Sequence, residues 1–157
     1  MAFARATVAK RGGSAVLYLL FLVLMKLRAS LADVGTAAQY SPPYTPTACY
    51  GFDPSQFPSS FLFAAAGEGI WDNGAACGRQ YLVRCISGPI STICDPTQMV
   101  QVRIVDLART AKSRPSANGA TIVLSNTAFK AIAKPNAIVI NVEYIHRMQG
   151  LRRRELL

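Results

Sequence analysis

Histidine, acidic residues and long apolar runs are scarce in this chain of 157 residues. It has one histidine, His146, and 8 Asp and Glu residues against 17 Lys and Arg. His146 stands beside Arg147 with no serine or cysteine nearby in a nucleophilic arrangement, so nothing here predicts covalent catalysis. The cysteines lack the Cys-x-x-Cys spacing of zinc ligands, and His146 is far from them. We predict no metal, no cofactor and no catalytic residue.

The longest apolar run, residues 14–25, is too short for a typical spanning helix. Its 12 residues fall short of the roughly 20 that a membrane helix needs, and basic residues border it on both sides. The small-x-small sequence Ser30-Leu31-Ala32 follows, which is typical of a signal-peptidase site. We prefer a secretory signal peptide, residues 1–32, over a membrane anchor. We expect no transmembrane anchor after removal of this segment.

The excess of basic residues is concentrated at the two ends of the chain. Five of the 17 basic residues lie in the signal segment, and three more are Arg152, Arg153 and Arg154. The remaining sequence is close to neutral and has no basic stripe with interleaved aromatics, so we predict no nucleic-acid partner. Residues 147–157 are predicted to be a basic, disordered tail.

All four cysteines, Cys49, Cys77, Cys85 and Cys94, follow the signal segment. An even number in a small exported domain predicts two disulfide bonds, and sequence alone allows three pairings. Cys85 and Cys94 flank a short Ser-Gly-Pro segment that could close a loop, which favours Cys85–Cys94 and leaves Cys49–Cys77.

Residues 33–146 have the composition of a mainly β domain. The clearest strand is Met99 to Asp106, where apolar and polar residues alternate and Asp106 falls on the apolar face. Five or six short strands predict a barrel. Ser125 is a suitable N-cap for a helix that Pro135 ends. The basic stretch from Leu107 to Gly119 is predicted to be an exposed loop.

Several motifs occur in a distinctive order. The first half contains Gly35-Thr36-Ala37, Pro42-Pro43-Tyr44, Ala48-Cys49-Tyr50-Gly51 and Ile70-Trp71-Asp72-Asn73-Gly74-Ala75-Ala76-Cys77-Gly78-Arg79-Gln80-Tyr81. The second half contains Val102-Arg103-Ile104-Val105-Asp106, then Leu124-Ser125 and Ala128-Phe129. In order and spacing these motifs resemble the plant EG45-like domain proteins, which include the plant natriuretic peptides and the blight-associated protein of citrus. The resemblance covers about residues 35–145.

This resemblance implies a six-stranded double-psi β-barrel with one or two short helices, as in the first domain of expansins and in family 45 endoglucanases. It also supports the pairings Cys49–Cys77 and Cys85–Cys94. The chain departs from the family in one respect, because family members usually carry two further cysteines after the strand aspartate. Here Leu107 follows Asp106, and the loop to Gly119 has no cysteine.

Asp106 is the best candidate for a general acid, but an inverting glycosidase needs a second carboxylate. In the endoglucanases that base lies on the first strand, and Ala38-Gln39-Tyr40-Ser41 has none. Asp53 and Asp72 lie in turn-like contexts, where aspartate is common for backbone hydrogen bonding. We therefore predict a protein that is not a hydrolase. Asp106 is either structural or part of a ligand site.

Aromatic residues are concentrated between residues 40 and 81. Phe61, Phe63 and Trp71 have apolar neighbours and are predicted to be core. Tyr40 and Tyr44, beside prolines, are predicted to line an open groove with Asp106.

The resemblance implies a secreted, non-enzymatic signalling protein of the natriuretic type, which acts in the apoplast. It would act through a plasma-membrane receptor and cyclic GMP on ion and water balance. We expect a monomer. In that family the activity is attributed to the stretch that here runs from about Tyr44 to Arg84. The candidate contacts in it are Tyr50, Trp71, Arg79 and Arg84. The alternative is an expansin-like protein that binds cell-wall polysaccharide without hydrolysing it.

Overall fold

The computed structural model describes residues 32–108 and 119–147. The predicted signal peptide (except Ala32), most of the predicted basic loop and the predicted tail beyond Arg147 lie outside these residues. The boundaries proposed for the signal peptide and the tail remain predictions.

Six strands in the described ranges form a closed barrel. They are β1 (Asp33–Tyr40), β2 (Phe63–Ala66), β3 (Gln80–Ser87), β4 (Val100–Leu107), β5 (Ile122–Ser125) and β6 (Val139–Arg147). The order around the barrel is β1-β5-β2-β4-β3-β6. The pairs β1–β5 and β2–β4 are parallel, and the other neighbours are antiparallel. The prediction of a mainly β barrel is confirmed.

Two hydrophobic clusters lie on opposite sides of the barrel wall. The interior cluster takes residues from all six strands, with Ile104, Ile122 and Val142 among them. The outer cluster lies against β1, β2, β4 and β5 and includes Tyr40 and Phe63. Strands that contribute to both clusters are buried on both faces, so they lack a simple alternation of apolar and polar residues.

A β-bulge interrupts the alternation of β4. Ala64 of β2 pairs with Ile104, but Ala65 pairs with Asp106, so Val105 is the extra residue. Ala65 and Val105 belong to the outer cluster. Because paired residues on neighbouring strands share a face, Asp106 lies on the outer face with Ala65. Asp106 is buried, as predicted, but it does not share the face of Ile104.

Short helices occupy the connections. They are α1 (Glu68–Trp71), α2 (Asn126–Lys130) and 3-10 turns at Pro54–Gln56 and Asp72–Gly74. The Ser125 side chain accepts a hydrogen bond from the Ala128 N–H, which confirms the predicted N-cap. The expected end at Pro135 is wrong. The helix stops at Lys130 because Ala131 and Ile132 donate to carbonyls three residues back and tighten the last turn.

The two disulfides are Cys49–Cys77 and Cys85–Cys94, as expected. The first ties the segment after β1 to the turn before β3. The second closes the loop after β3, and Cys85 itself is fully buried in the interior cluster.

The aromatic residues predicted to be core have different environments. Phe63 is fully buried. Trp71 is half-buried and packs against the interior cluster. Phe61 was expected in the core but is 54% exposed. Its backbone φ is +58°, a conformation that is rare for bulky residues and that turns Phe61 outward just before β2.

Candidate functional site

Asp106 is a buried carboxylate satisfied by backbone donors. It is 5% exposed, and its Oδ1 accepts hydrogen bonds from Ala48 N–H at 2.6 Å and Leu107 N–H at 2.8 Å. Burial raises the pKa of Asp106, while the two backbone bonds act in the opposite direction. Neither bond uses Oδ2.

Tyr40 ends β1 on the same outer face and is also buried, at 8% exposure. Its hydroxyl has no hydrogen-bond partner in the part of the chain described. Burial raises the pKa of Tyr40 strongly, and the nearby charge of Asp106 raises it further. The ring packs edge-on against Tyr44 at 5.1 Å and Phe63 at 6.2 Å between centroids. The structure therefore brings Tyr40, Tyr44 and Asp106 into one region.

This region is covered, in contrast to the open groove expected for Tyr40 and Tyr44. Tyr44, Tyr50 and Phe57, all from the segment between β1 and β2, pack against the outer cluster. Ala48 of the same segment donates to Asp106. Tyr44 is half-buried, so only part of its ring reaches the surface.

Among the described residues, an open concavity lies elsewhere, around α1, and we call it the Trp71 groove. It has a volume of about 710 Å³. It is lined by Glu68, Gly69, Trp71, Asp72, Asn73, Arg79 and Leu107. A second hollow of about 430 Å³ shares Glu68 and Gly69 with it. The second hollow is completed by Gly67, Ala108, Gly119, Ala120 and Thr121.

The wall of the Trp71 groove is built by a turn of left-handed residues. Asp72, Asn73 and Gly74 have φ of +51°, +49° and +94°. Asp and Asn tolerate this region better than most residues, which explains the sequence Asp-Asn-Gly after Trp71. The Asp72 carboxylate pairs with the Arg79 guanidinium at 2.5 Å. An indole thus stands beside a carboxylate, an amide and a guanidinium, a combination suited to a polyhydroxylated ligand.

The residues predicted for signalling divide between two places. Trp71 and Arg79 line the Trp71 groove. Tyr50 is half-buried and is not among the lining residues of the groove. A Cβ placed on Gly78, the residue before Arg79, would lie 3.6 Å from the Tyr50 hydroxyl oxygen. Arg84 lies farther along β3 and forms an ion pair with Glu143 of β6.

Sequence reasoning missed Glu68, Asn73 and Leu107 as groove residues. The Asp-Asn-Gly sequence predicts a turn. It does not predict a cleft, because the cleft forms only where α1 meets the end of β4.

The carboxylates considered as a second catalytic group are held in local contacts. Asp53 caps the 3-10 turn by accepting from Ser55 N–H. Asp72 is paired with Arg79. The pKa of Asp106 responds to burial and to two backbone donors, and among the described residues no second carboxylate perturbs it.

In the part of the chain that the structure describes, no group of three His, Cys, Asp or Glu side chains could hold a metal ion. No helix in this part is both long enough and apolar enough to cross a membrane.

Comparisons with known proteins agree with this architecture. A double-psi β-barrel family model described as lytic transglycolase matches residues 64–144. The chain resembles two expansin structures from Clavibacter michiganensis, an apo form and a point mutant in complex with cellohexaose. The TM-score is 0.55 for both, at 20% and 21% identity, with 78% of this chain and 53% of each expansin covered. The chain thus spans about half the length of these expansins, and the likeness shows the fold: a six-stranded double-psi β-barrel.

Similarity to curated plant proteins is higher. An EG45-like domain containing protein from Citrus jambhiri is 38% identical over 118 residues, which cover 74% of this chain and 82% of that protein. The EG45-like domain containing protein 2 of Arabidopsis thaliana is 36% identical over 126 residues, which cover 78% of this chain and 88% of that protein. The chain belongs to the family of EG45-like domain containing proteins.

Proposed function

We propose that this chain is an expansin-like protein that binds cell-wall polysaccharide in the Trp71 groove and does not hydrolyse it. The observation that carries the proposal is a half-buried indole at the wall of an open groove, beside polar side chains. Aromatic faces bury the apolar C–H faces of sugar rings, while carboxylate, amide and guanidinium groups exchange hydrogen bonds with sugar hydroxyls.

The structural relatives support a glycan as the ligand class. One of the two expansin structures is a complex with cellohexaose. Because this chain corresponds to about half of that protein, whether a single barrel retains the ability to bind glucan is part of the proposal. We expect weak binding, because a short groove offers few sugar contacts.

The environment of Asp106 supports binding without hydrolysis. An inverting mechanism places two carboxyl groups about 6.5–9.5 Å apart with room for a water molecule between them. Asp106 is 5% exposed and accepts hydrogen bonds from two backbone N–H groups. Asp53 and Asp72 are held in contacts of their own. These features favour a structural role for Asp106.

The disulfides support an extracellular location. Both bonds join cysteines of a small β domain, and all four cysteines are paired. Such bonds persist in oxidising compartments and are rare in the cytosol. With the predicted signal peptide, they support the apoplast as the site of action.

Natriuretic-type signalling through cyclic GMP is the second candidate. The observation that favours it is that Trp71 and Arg79, two of the four residues predicted for it, line one groove. The Tyr50 hydroxyl lies near Gly78, which stands between Cys77 and Arg79 in the chain. An ordered surface of this kind suits a protein receptor as well as a glycan. Wall-free plant protoplasts distinguish the two functions, because swelling with a rise in cyclic GMP requires no wall polysaccharide.

The binding proposal is tested by co-sedimentation with washed wall polysaccharide, beside an assay for released reducing ends. We expect retention of the protein with no release of sugar. Trp71→Ala is expected to reduce the affinity for wall polysaccharide about tenfold, the typical effect of losing an aromatic contact. Asn73→Gly removes a groove side chain without backbone strain, since glycine accepts positive φ.

Phe52→Ala is the matched control. Phe52 is 80% exposed and belongs to the segment between β1 and β2, outside the groove lining. Equal loss in the Trp71 and Phe52 variants, with all variants folded, contradicts the assignment of the groove. Absence of binding by the unaltered protein contradicts the function itself.

A further inference from the structure

The outer face of β6, β3 and β4 differs from the rest of the barrel wall because its side chains are not buried. Those that the strand alternation places there are half-buried or exposed: Gln80, Leu82, Arg84, Gln101, Arg103, Asn141, Glu143, Ile145 and Arg147. This side of the barrel is therefore an accessible surface made of three adjacent strands.

Two arginines flank one glutamine across this surface. Gln80 of β3 is paired with Arg103 of β4 on one side and with Arg147 of β6 on the other. Directly opposite residues have Cβ atoms about 4.5–5.5 Å apart, so the two arginines start roughly 10 Å from each other. We call Arg103, Gln80 and Arg147 the arginine row. The neighbouring row contains Gln101, Leu82 and Ile145.

The two arginines of this row contact neutral groups. Arg103 donates to the backbone oxygen of Gln56 at 3.3 Å. Arg147 donates to the side-chain oxygen of Gln101, whose amide nitrogen donates to Gln80 at 2.6 Å.

Two arginines outside this row do have acidic partners. Arg79 pairs with Asp72, and Arg84 pairs with Glu143. Within residues 32–108 and 119–147, no carboxylate forms an ion pair with Arg103 or Arg147. The row therefore presents two like charges that an anionic ligand would neutralise.

We propose that the arginine row binds an acidic polysaccharide through the carboxylates of its uronic acid units. Each guanidinium offers a planar fork of N–H donors that matches a carboxylate. The amides of Gln80 and Gln101 can exchange hydrogen bonds with hydroxyls, and half-buried Leu82 and Ile145 offer apolar contact to ring C–H groups. An accessible surface that extends across three strands suits an extended polymer better than a small molecule.

This site is separate from the Trp71 groove in both place and chemistry. The groove offers an aromatic wall for neutral sugar rings, whereas the row offers uncompensated positive charge. A shallow hollow of about 290 Å³ adjoins the row, lined by Pro58, Ser60, Leu62, Gln80, Gln101, Val102 and Arg103. The proposal goes beyond the function proposed above, and it holds or fails independently of that function.

Binding of the full chain to oligogalacturonate, measured by calorimetry, tests the proposal. We expect Arg103→Gln and Arg147→Gln each to weaken binding about tenfold, which is typical of losing one charge-assisted hydrogen bond. Arg→Lys at either position should recover only part of the affinity, because lysine keeps the charge but lacks the fork. Lys130→Gln and Lys134→Gln remove the same charge near α2 and should have little effect.

Three results would overturn the proposal. The first is equal binding of fully methyl-esterified oligogalacturonate, which lacks the charge. The second is general attraction of polyanions, seen either as equal weakening in the lysine controls or as equally tight binding of polyphosphate or poly-glutamate. The third is loss of binding in the variant Arg152→Gln/Arg153→Gln/Arg154→Gln with no effect of the row variants. Thermal melts verify folding, and Trp71→Ala should leave uronate binding unchanged.

Discussion

Asp106 should cost stability as a charge and contribute stability as a hydrogen-bond acceptor, and two substitutions separate these effects. Asp106→Asn removes the charge but keeps an acceptor oxygen for Ala48 and Leu107 N–H. Asp106→Ala removes both. Leaving a buried backbone donor without a partner costs about 1–3 kcal/mol. Ala48 is an exposed residue, so we expect water to replace part of its lost hydrogen bond and take this range for both donors together.

The alanine variant should therefore melt below the asparagine variant at every pH. At roughly 4 °C per kcal/mol for a domain of this size, the gap is about 4–12 °C. The difference in melting temperature between the asparagine variant and the unaltered protein should depend on pH. Because burial raises the folded pKa of Asp106, protonation favours the folded state. The stability contributed is complete below the unfolded pKa, about 3.9, and is lost as pH rises through the folded pKa.

The melting temperature of Asp106→Asn should accordingly rise relative to that of the unaltered protein as the pH increases from acid to neutral. Asp53 is a control of opposite sign, because the Ser55 side chain and then its N–H lower the pKa of Asp53. Its contribution is present above the unfolded pKa and is lost as pH falls through the folded pKa, so Asp53→Asn should lose most at neutral pH. Thermal melts from pH 3 to 8 provide the test. The reasoning about Asp106 is wrong if Asp106→Asn loses stability relative to the unaltered protein toward neutral pH. It is also wrong if Asp106→Asn and Asp106→Ala have the same melting temperature at every pH.

Three further predictions concern stability, and each is tested by denaturant unfolding. Removing the Cys49–Cys77 bond, which spans 28 residues, should cost about 3.5 kcal/mol of unfolding free energy. Removing Cys85–Cys94, which spans 9, should cost about 2.5 kcal/mol, because the shorter loop restricts the unfolded chain less. The reverse order contradicts this argument from loop length. Gly67→Ala should cost about 1–3 kcal/mol, because its Cβ would lie 2.3 Å from a backbone oxygen. Gly69→Ala meets no atom within 4 Å and should be neutral or stabilising. Ser125→Ala should cost about 1–3 kcal/mol, because this buried hydroxyl caps α2 and donates to the Phe61 carbonyl at 2.6 Å; unchanged unfolding would refute the cap.

Features that depend on neighbouring residues in the chain were predictable from the sequence. Ser125 caps α2 because its side chain reaches an N–H three residues on, a contact within one turn. The alternation from Val100 to Ile104 places Val100, Val102 and Ile104 in the interior cluster, as a period of two requires. The disulfide pairing needed the family resemblance as well, since the residues alone allowed three arrangements.

Features that depend on distant segments were not predictable in the same way. Tyr40 has the sequence context of a groove residue, beside prolines. It is buried because the segment between β1 and β2 folds back over the outer face and places Tyr44 against it. The arginine row depends on the registers of three strands, in which Arg103 and Arg147 are 44 positions apart in the numbering but flank the same glutamine.

The β-bulge at Val105 has the largest consequence for the candidate site. With a strict period of two, Asp106 would follow Ile104 into the barrel interior, where the cluster is apolar and an ionised carboxylate is costly. The extra residue turns Asp106 to the outer face, where Ala48 N–H and Leu107 N–H both reach its Oδ1. That shift exists only because β4 pairs with β2 at this register. The position of this buried acid is thus decided by strand pairing, and its chemistry follows from the donors found there.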